Sequence, residues 1–367
     1  MGNRIVFGRW EAVALLVNLV CTKIFLSFPR VAAELVGTAS WMLVAYVSLL
    51  AFLLFFLITK IYRHFEGKDI IDISEMAGGS FGRISVGLIL TASLLIYVSL
   101  VMREFAEDMK VIAFTVSPVS FVTMFFVVSM AIGAWFGIEA IVRFHAMAVP
   151  AILFGYLVIV IAVLPFTDFT NILPILGNGP KKIFIDCSSE IAVYSELLLL
   201  FLIAPFLRSD SNLKKVGYAS IGLSAFLLTS GALAYIAAIP YPTALENFLP
   251  IYQMARLINY GRFFQRLEPL FLVVWVTAAL LYLTSTFYFL LYVFRKTFGL
   301  KYHKPLIMPF AVIVFTLSLM PANVISTVEL ESFFYRNISW VVTFGLTLVL
   351  LLTAWAVKGR KRKKAVR

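Results

Sequence analysis

Apolar segments long enough to cross a membrane recur along this chain, and they constrain its fold more than any other feature. A helix that crosses a hydrocarbon core about 30 Å thick needs about 20 mostly apolar residues. Ten such segments follow one another, separated by short polar stretches. We therefore expect an all-α polytopic membrane protein, a single transmembrane domain over residues 1–367 with ten transmembrane helices. The segments are residues 11–36, 40–60, 84–114, 118–137, 144–164, 183–207, 214–239, 267–294, 306–325 and 338–357.

The composition supports a membrane protein and argues against other classes. Hydrophobic residues make up 62% of the chain and charged residues 14%, whereas soluble domains have about 45–50% and about 25%. A net charge of +12 could indicate nucleic-acid binding, but 21 of the 31 basic residues fall on one side of the predicted membrane. With three scattered histidines, no phosphate-binding loop and no nucleophile motif, we expect no catalysis, no metal, no cofactor and no nucleic-acid partner.

The same charge distribution predicts the orientation. Basic residues favour the cytoplasmic side of a membrane, so both termini are expected in the cytoplasm. The basic tail, residues 358–367, is expected to meet anionic lipid of the inner leaflet or to act as a plain stop-transfer anchor. A turn-rich linker, residues 168–182, divides the spans into two groups of five. Because five is odd, the halves at residues 11–165 and 183–357 are candidate inverted repeats.

The first span contains a lysine at membrane depth. Lys23 lies within NLVCTKIFLSFP and is followed by Pro29. A charge at this depth costs about 2.5–3.5 kcal/mol, and proline interrupts helical hydrogen bonding, so we expect a broken helix lining an internal cavity. Lys23 could replace a coupling cation, hold the carboxylate of an amino acid, snorkel to the membrane surface, or pair with a glutamate to lock the fold. The ligand-binding candidates here are Asn18, Cys21, Thr22, Lys23 and Ser27.

The sixth span carries a second polar interruption, CSSEIAVYSELLLLFLIAP. Glu196 precedes its apolar run, and Ser189, seven residues earlier, shares the same helix face. Glu196 could be the counter-ion of Lys23, a proton-titrating group or a structural cap, so Lys23 and Glu196 are the candidates for ion or proton coupling. Broken helices at corresponding positions of two halves predict a central site, with Ser189, Tyr194 and Glu196 as ligand-binding candidates.

Other polar positions give further hypotheses. Arg103 and Glu107 form an i,i+4 pair near the end of the third span, which either gates an outer vestibule or is a solvated helix end. Tyr97 on the third span and Trp275 on the eighth are additional ligand-binding candidates. After the seventh span, residues 250–259 predict a short interfacial helix.

These segments resemble the spore germination permease family, the B-type membrane subunits of nutrient germinant receptors in the amino acid–polyamine–organocation superfamily. The order and spacing of several segments support the resemblance, although Lys23 and Ser195 stand where many members have glycine. The segments are CTKIFLSFPR in the first span, LVMREFAEDMKVIAFTVSP in the third, AVYSELLLLFLIAP in the sixth, and RLEPLFLVVWVTAAL with Arg266 and Glu268 in the eighth.

The resemblance implies two inverted five-helix repeats of the leucine-transporter architecture, with helices 1 and 6 broken. It also implies a small germinant, commonly an amino acid, bound in the spore inner membrane, and association with an A-type subunit and a lipoprotein C-type subunit. Two alternatives stay open, because one fold hosts all three functions. They are a free-standing proton-coupled amino acid transporter and a structural subunit whose site is vestigial.

Overall fold

The computed structural model describes residues 8–65, 67–207, 210–261 and 267–365, which are helical almost throughout. Arg266 and the last two residues of the basic tail lie outside the described residues. The α-helices are joined by 3₁₀ and π-helical turns. In chain order they are α1 Arg9–Cys21, α2 Phe28–Val36, α3 Ser40–Tyr62, α4 Ile70–Ile112, α5 Val119–Phe136, α6 Ile138–Val163, α7 Leu198–Ile203, α8 Asp210–Ala238, α9 Pro250–Leu257, α10 Glu268–Thr297, α11 Ile307–Ser318, α12 Val324–Phe334 and α13 Thr347–Ala365.

Eight continuous helical segments within the described residues are long and apolar enough to cross a membrane. Of the ten expected spans, the first contributes two shorter helices, α1 and α2, and the ninth corresponds to the shorter apolar segment Lys304–Ser318. The eight are Phe28–Phe65, Ile70–Ile112, Val119–Phe136, Ile138–Phe166, Lys182–Phe206, Leu213–Ala238, Glu268–Thr297 and Val324–Gly359.

Burial separates central helices from lipid-facing ones. The most apolar window of Lys182–Phe206 is 89% buried, whereas that of Val119–Phe136 is only 33% buried. Every residue of α1 from Ala12 to Cys21 is buried, while α3 and α5 expose phenylalanine side chains such as Phe56 and Phe125. The interrupted segments of the first and sixth spans therefore lie at the centre of the bundle.

Two helices begin earlier in the chain than the apolar pattern predicts. α4 begins at Ile70 rather than near residue 84, because the Asp69 side chain caps it by accepting from the Ile71 and Asp72 amides, and Gly79 (φ 64°) then kinks it. The last span begins at Val324 rather than near residue 338, continuing from α12 through two π-helical stretches into α13. Neither early portion is a continuous apolar run, so membrane-length hydropathy does not mark it.

The polar connection after α8 folds back onto the bundle. Its helix α9 ends at Leu257, two residues before the predicted boundary. Ile251, Met254 and Ala255 are fully buried, and the Tyr260 hydroxyl donates to the Ala162 carbonyl at 2.7 Å. Because its apolar side is packed against protein, α9 covers one end of the bundle. We call this the α9 side.

Candidate functional site

The first break, residues 22–27, separates α1 from α2. Thr22–Phe25 form one 3₁₀ turn, and Pro29 lies in the first turn of α2. Because proline lacks a backbone N–H, regular helical hydrogen bonding cannot pass through this position, and main-chain groups nearby need other partners. The Ser27 amide donates to the Glu104 carboxylate, with an N–Oε1 distance of 3.0 Å.

A 3₁₀ segment, Ser188–Leu197, contacts the first break from the sixth predicted span. Runs of 3₁₀ helix longer than about four residues are uncommon, and this ten-residue segment is divided by a kink at Tyr194 (φ −98°, ψ 17°). Its carbonyls bind side chains from elsewhere: Val193 O accepts from Lys23 Nζ at 2.7 Å, and Ser195 O accepts from Thr343 Oγ1 at 3.0 Å. Both irregular segments thus satisfy buried main-chain groups through long-range contacts.

Lys23 and Glu196 form a buried ion pair between these two segments, with side chains 6% and 5% exposed. Lys23 Nζ donates to Glu196 Oε2 and lies 4.8 Å from the centre of the Tyr335 ring. The Tyr282 hydroxyl donates to the other oxygen of Glu196 at 3.1 Å. Because breaking a buried pair leaves an uncompensated charge, these contacts hold the two irregular segments together.

A cavity of about 50 Å³, the upper pocket, lies on the α9 side of this ion pair. It is bounded by the first break, the start of α2, the 3₁₀ segment, α4 and the last span. Apolar residues including Leu26 and Val31 form part of its wall. Its charged lining residues are Lys23, Glu104, Glu190, Glu331 and Arg336.

A second cavity of about 30 Å³, the lower pocket, lies on the opposite side of the ion pair. Glu196, Tyr97 and Tyr282 contribute to its lining. Since Lys23 lines the upper pocket and Glu196 the lower one, the ion pair and the tyrosines form a partition between the two cavities.

The upper pocket adjoins a vestibule of about 390 Å³ on the α9 side. Val31, Ser332 and Arg336 line both spaces. Arg336 is 32% exposed, and its Nε lies 2.5 Å from Glu190 Oε1. This arrangement places a charged pair where the vestibule meets the upper pocket, so a solute entering from the α9 side would pass it.

The structure distributes the ligand-binding candidates over several environments. Lys23 and Ser27 line the upper pocket, and Tyr97 and Glu196 line the lower one. The other three candidates of the first span line a separate small cavity of about 10 Å³ between α1, α6 and α8. They are Asn18, which donates to the Ala278 carbonyl at 3.2 Å, Thr22, which donates to the Asn18 carbonyl at 2.6 Å, and Cys21.

The remaining candidates, Tyr194, Ser189 and Trp275, are not among the residues that line either pocket. The Tyr194 hydroxyl donates to Ser48 Oγ on α3 at 2.7 Å. Ser189 is half-buried near the start of the 3₁₀ segment. Trp275 is fully buried and stacks on Phe271, with ring centroids 6.1 Å apart. Their present contacts are those of packing residues.

The Arg103–Glu107 pair lies inside the protein. The Arg103 Nη2–Glu107 Oε1 distance is 2.8 Å, and the side chains are 5% and 16% exposed. Arg103 Nη1 also donates to the Ser318 carbonyl at 3.5 Å, which ties α4 to the end of α11. The pair therefore belongs to the interior of the α9 side, beside the upper pocket residue Glu104.

Three residues around the partition are not among the predicted site residues: Glu104, which lies beside the predicted Arg103–Glu107 pair, Glu331 and Tyr282. A periodic signal existed for the first, because Glu104 follows Tyr97 by seven residues and so lies on the same face of α4. Glu331 lies between the predicted ninth and tenth spans, although buried residues recur around it with helical spacing at Thr327, Val328 and Phe334. Only the packing of α12 against α4 brings Glu331 near Glu104.

Comparison with known proteins gives the family. The family model described as spore germination protein matches residues 9–325. The chain belongs to the spore germination protein family. Curated relatives include spore germination protein XB of Bacillus anthracis, 20% identical over 62% of this chain and 63% of that protein. Spore germination protein KB of Bacillus subtilis is 21% identical over 72% of this chain and 73% of that protein. Spore germination protein YndE of Bacillus subtilis is 20% identical over 96% of this chain and 97% of that protein.

Solved structures give the fold of this spore germination protein. Mhp1, a nucleobase-cation-symport-1 family transporter in a closed conformation with bromovinylhydantoin bound, matches with a TM-score of 0.69, 13% identity and coverage of 95% of this chain and 78% of that one. A Na⁺-coupled sialic acid symporter in an outward-open state matches with a TM-score of 0.64, 11% identity and coverage of 93% and 80%. The protein thus has the leucine-transporter-type fold of these transporters.

Proposed function

We propose that this chain is the B-type membrane subunit of a spore nutrient germinant receptor, and that a small germinant binds in the upper pocket and triggers germination. The main supporting observation is a buried cavity with charged walls beside the first break, adjoining a vestibule on the α9 side. Half-helix ends and unwound backbone at such breaks are typical of solute sites in this fold. An amino acid is the ligand class we favour.

The proposal includes a topology. The ten spans form two inverted repeats, residues 11–165 and 183–357, with α1 and α2 as one broken span and α11 as the short ninth. The α9 side faces outward and both termini face the cytoplasm. A-type and C-type receptor subunits would then read out a ligand that binds one conformation better than another, because only differential affinity shifts a population.

A pocket-filling variant tests the proposal in spores. Ala192 lines the upper pocket, so Ala192→Phe fills it without changing its charge. Spores with this variant should lose the nutrient response that depends on the wild-type chain, whereas the lipid-facing change Ala151→Phe on α6 should retain it. Normal nutrient germination in spores lacking the chain altogether would contradict the receptor role.

A free-standing proton-coupled amino acid transporter is the second candidate, favoured by the fold shared with two symporters. Liposomes containing only this chain separate the two functions. Sustained, pH-gradient-driven uptake of labelled amino acids would favour the transporter. Saturable binding without accumulation would favour the receptor subunit.

A further inference from the structure

Acidic groups outnumber basic ones around the upper pocket. Among the described residues, three carboxyl groups near it have a basic partner: Glu196 with Lys23, Glu107 with Arg103, and Glu190 with Arg336. Three others, Glu104, Asp108 and Glu331, are buried and have no ion pair in the described part of the chain. A buried carboxylate without a partner is costly, so a cation that reached these groups would be stabilised.

Two of the surplus carboxyl groups meet in the upper pocket. Glu104 extends from α4 and Glu331 from α12, two helices that pack against each other, and both side chains line the upper pocket. Glu104 Oε1 accepts from the Ser27 amide at 3.0 Å, whereas Oε2 receives no hydrogen bond from any described donor. Two carboxylates that face one pocket repel each other unless a cation lies between them.

Two donors beside these carboxyl groups that would suit a ligand carboxylate are already engaged. Lys23 Nζ donates to Glu196 and Val193, and the Ser27 amide at the start of α2 donates to Glu104. A helix start is an anion site, and here a carboxylate of the protein itself occupies it. The groups in this part of the pocket that still lack partners are therefore hydrogen-bond acceptors.

We propose that the Glu104–Glu331 pair is the subsite for a primary ammonium group, so that the upper pocket selects ligands that carry an amine. This rests on the proposed function and specifies its ligand class. The amine donates to both carboxyl groups, and charge-assisted bonds of this kind are the strong ones. Lys23 stays bound to Glu196 and does not hold a ligand carboxylate.

The surroundings favour an organic ammonium over a metal ion. Hard cations take about six to eight oxygen ligands, whereas the wall beside the pair includes Leu26, Val31 and Ala192. Among the described residues, no cluster of three or more His, Cys, Asp or Glu could hold a metal ion. Alkyl carbons attached to an ammonium group would contact these apolar side chains.

Small probes test the subsite on the purified full-length chain. Thermal unfolding would be followed with ethylammonium chloride, L-alanine, sodium propionate and sodium chloride at matched ionic strength. Ethylammonium and L-alanine should raise the unfolding midpoint, and propionate and sodium chloride should not. Glu331→Gln should weaken ethylammonium binding at least about tenfold, and Glu104→Gln likewise, while Glu139→Gln in an exposed pair should have no effect.

Several outcomes would overturn the subsite. These are stabilisation by propionate rather than by the amines, an equal effect of sodium, no effect of any amine, or undiminished amine binding in both glutamine variants. The two proposals fail separately. If Ala192→Phe abolishes germination but no amine binds, the receptor role stands and the subsite fails. If amines bind but spores lacking the chain germinate normally, the subsite stands and the receptor role fails.

Discussion

Two buried ion pairs tie distant helices together, and their surroundings differ. Lys23–Glu196 joins two irregular segments, with a cavity on each side. Asp69–Lys296 joins the start of α4 to the end of α10, where Asp69 is fully buried and Lys296 is 24% exposed. The first pair lies among incompletely satisfied groups, and the second completes a regular helix cap.

The Asp69 carboxylate is saturated with donors. It accepts from the Ile71 and Asp72 amides at 3.1 and 3.0 Å, from the Tyr292 hydroxyl at 2.7 Å and from Lys296 Nζ at 2.5 Å. Such a network rigidifies because every member is bonded. Burial of an ion pair alone therefore does not identify a binding site. A binding site is indicated when a cavity with unsatisfied polar groups lies next to the pair.

Removing Lys23 should produce the largest effect. Lys23→Met leaves Glu196 buried without its cation, which should destabilise the protein by about 3–5 kcal/mol and abolish ligand binding. The double variant Lys23→Met, Glu196→Gln removes both charges and should recover most of the stability but not the binding. Thermal unfolding of the purified proteins measures the first effect and ligand titration the second. Equal stability of the single and double variants would refute the charge argument.

Removing the cap should cost less and leave binding intact. Asp69→Ala loses the cap of α4 and the bond to Lys296, for an expected loss of about 2 kcal/mol. Asp69→Asn retains cap acceptors and should lose about half as much. At a temperature at which both variants are fully folded, their ligand affinities should match that of the wild type. Weaker binding in Asp69→Asn would show that this end of the bundle is coupled to the pocket.

A matched pair of tyrosine variants gives the finest comparison. Tyr282 donates to Glu196 and Tyr292 donates to Asp69. Each change to phenylalanine removes one hydrogen bond and should cost about 1 kcal/mol. Only Tyr282→Phe should also change ligand affinity, because it loosens the partition between the pockets. Identical affinities in the two variants would remove the distinction between the ion pairs.

Much of the fold follows from the sequence, since helices such as α5 and α6 coincide with apolar runs. The pattern failed where a helix is polar or buried in protein. Residues 70–83 precede the apolar part of α4, and residues 324–337 combine acidic groups with apolar ones. These segments fold as helices because a cap and tertiary packing stabilise them, and membrane-length hydropathy does not report either effect.

The site divides in the same way. Lys23 and Glu196 stand out in the sequence because a charge inside an apolar run is rare and costly. Tyr194 is a ligand-binding candidate in the sequence as well, yet its hydroxyl contacts Ser48. The reason is that side chains of this irregular segment point in other directions than those of an α-helix. The direction of each side chain depends on backbone geometry that composition does not encode.

The sequence by itself determined an all-helical membrane protein with charge placed at depth, because hydropathy and its cost in hydrocarbon are local properties of the chain. The tertiary structure alone decided which carboxyl groups meet. Glu104 and Glu331 are far apart in sequence, as are Lys23 and Glu196. They come together only because helices from both halves pack around the first break, and packing depends on every facing surface at once.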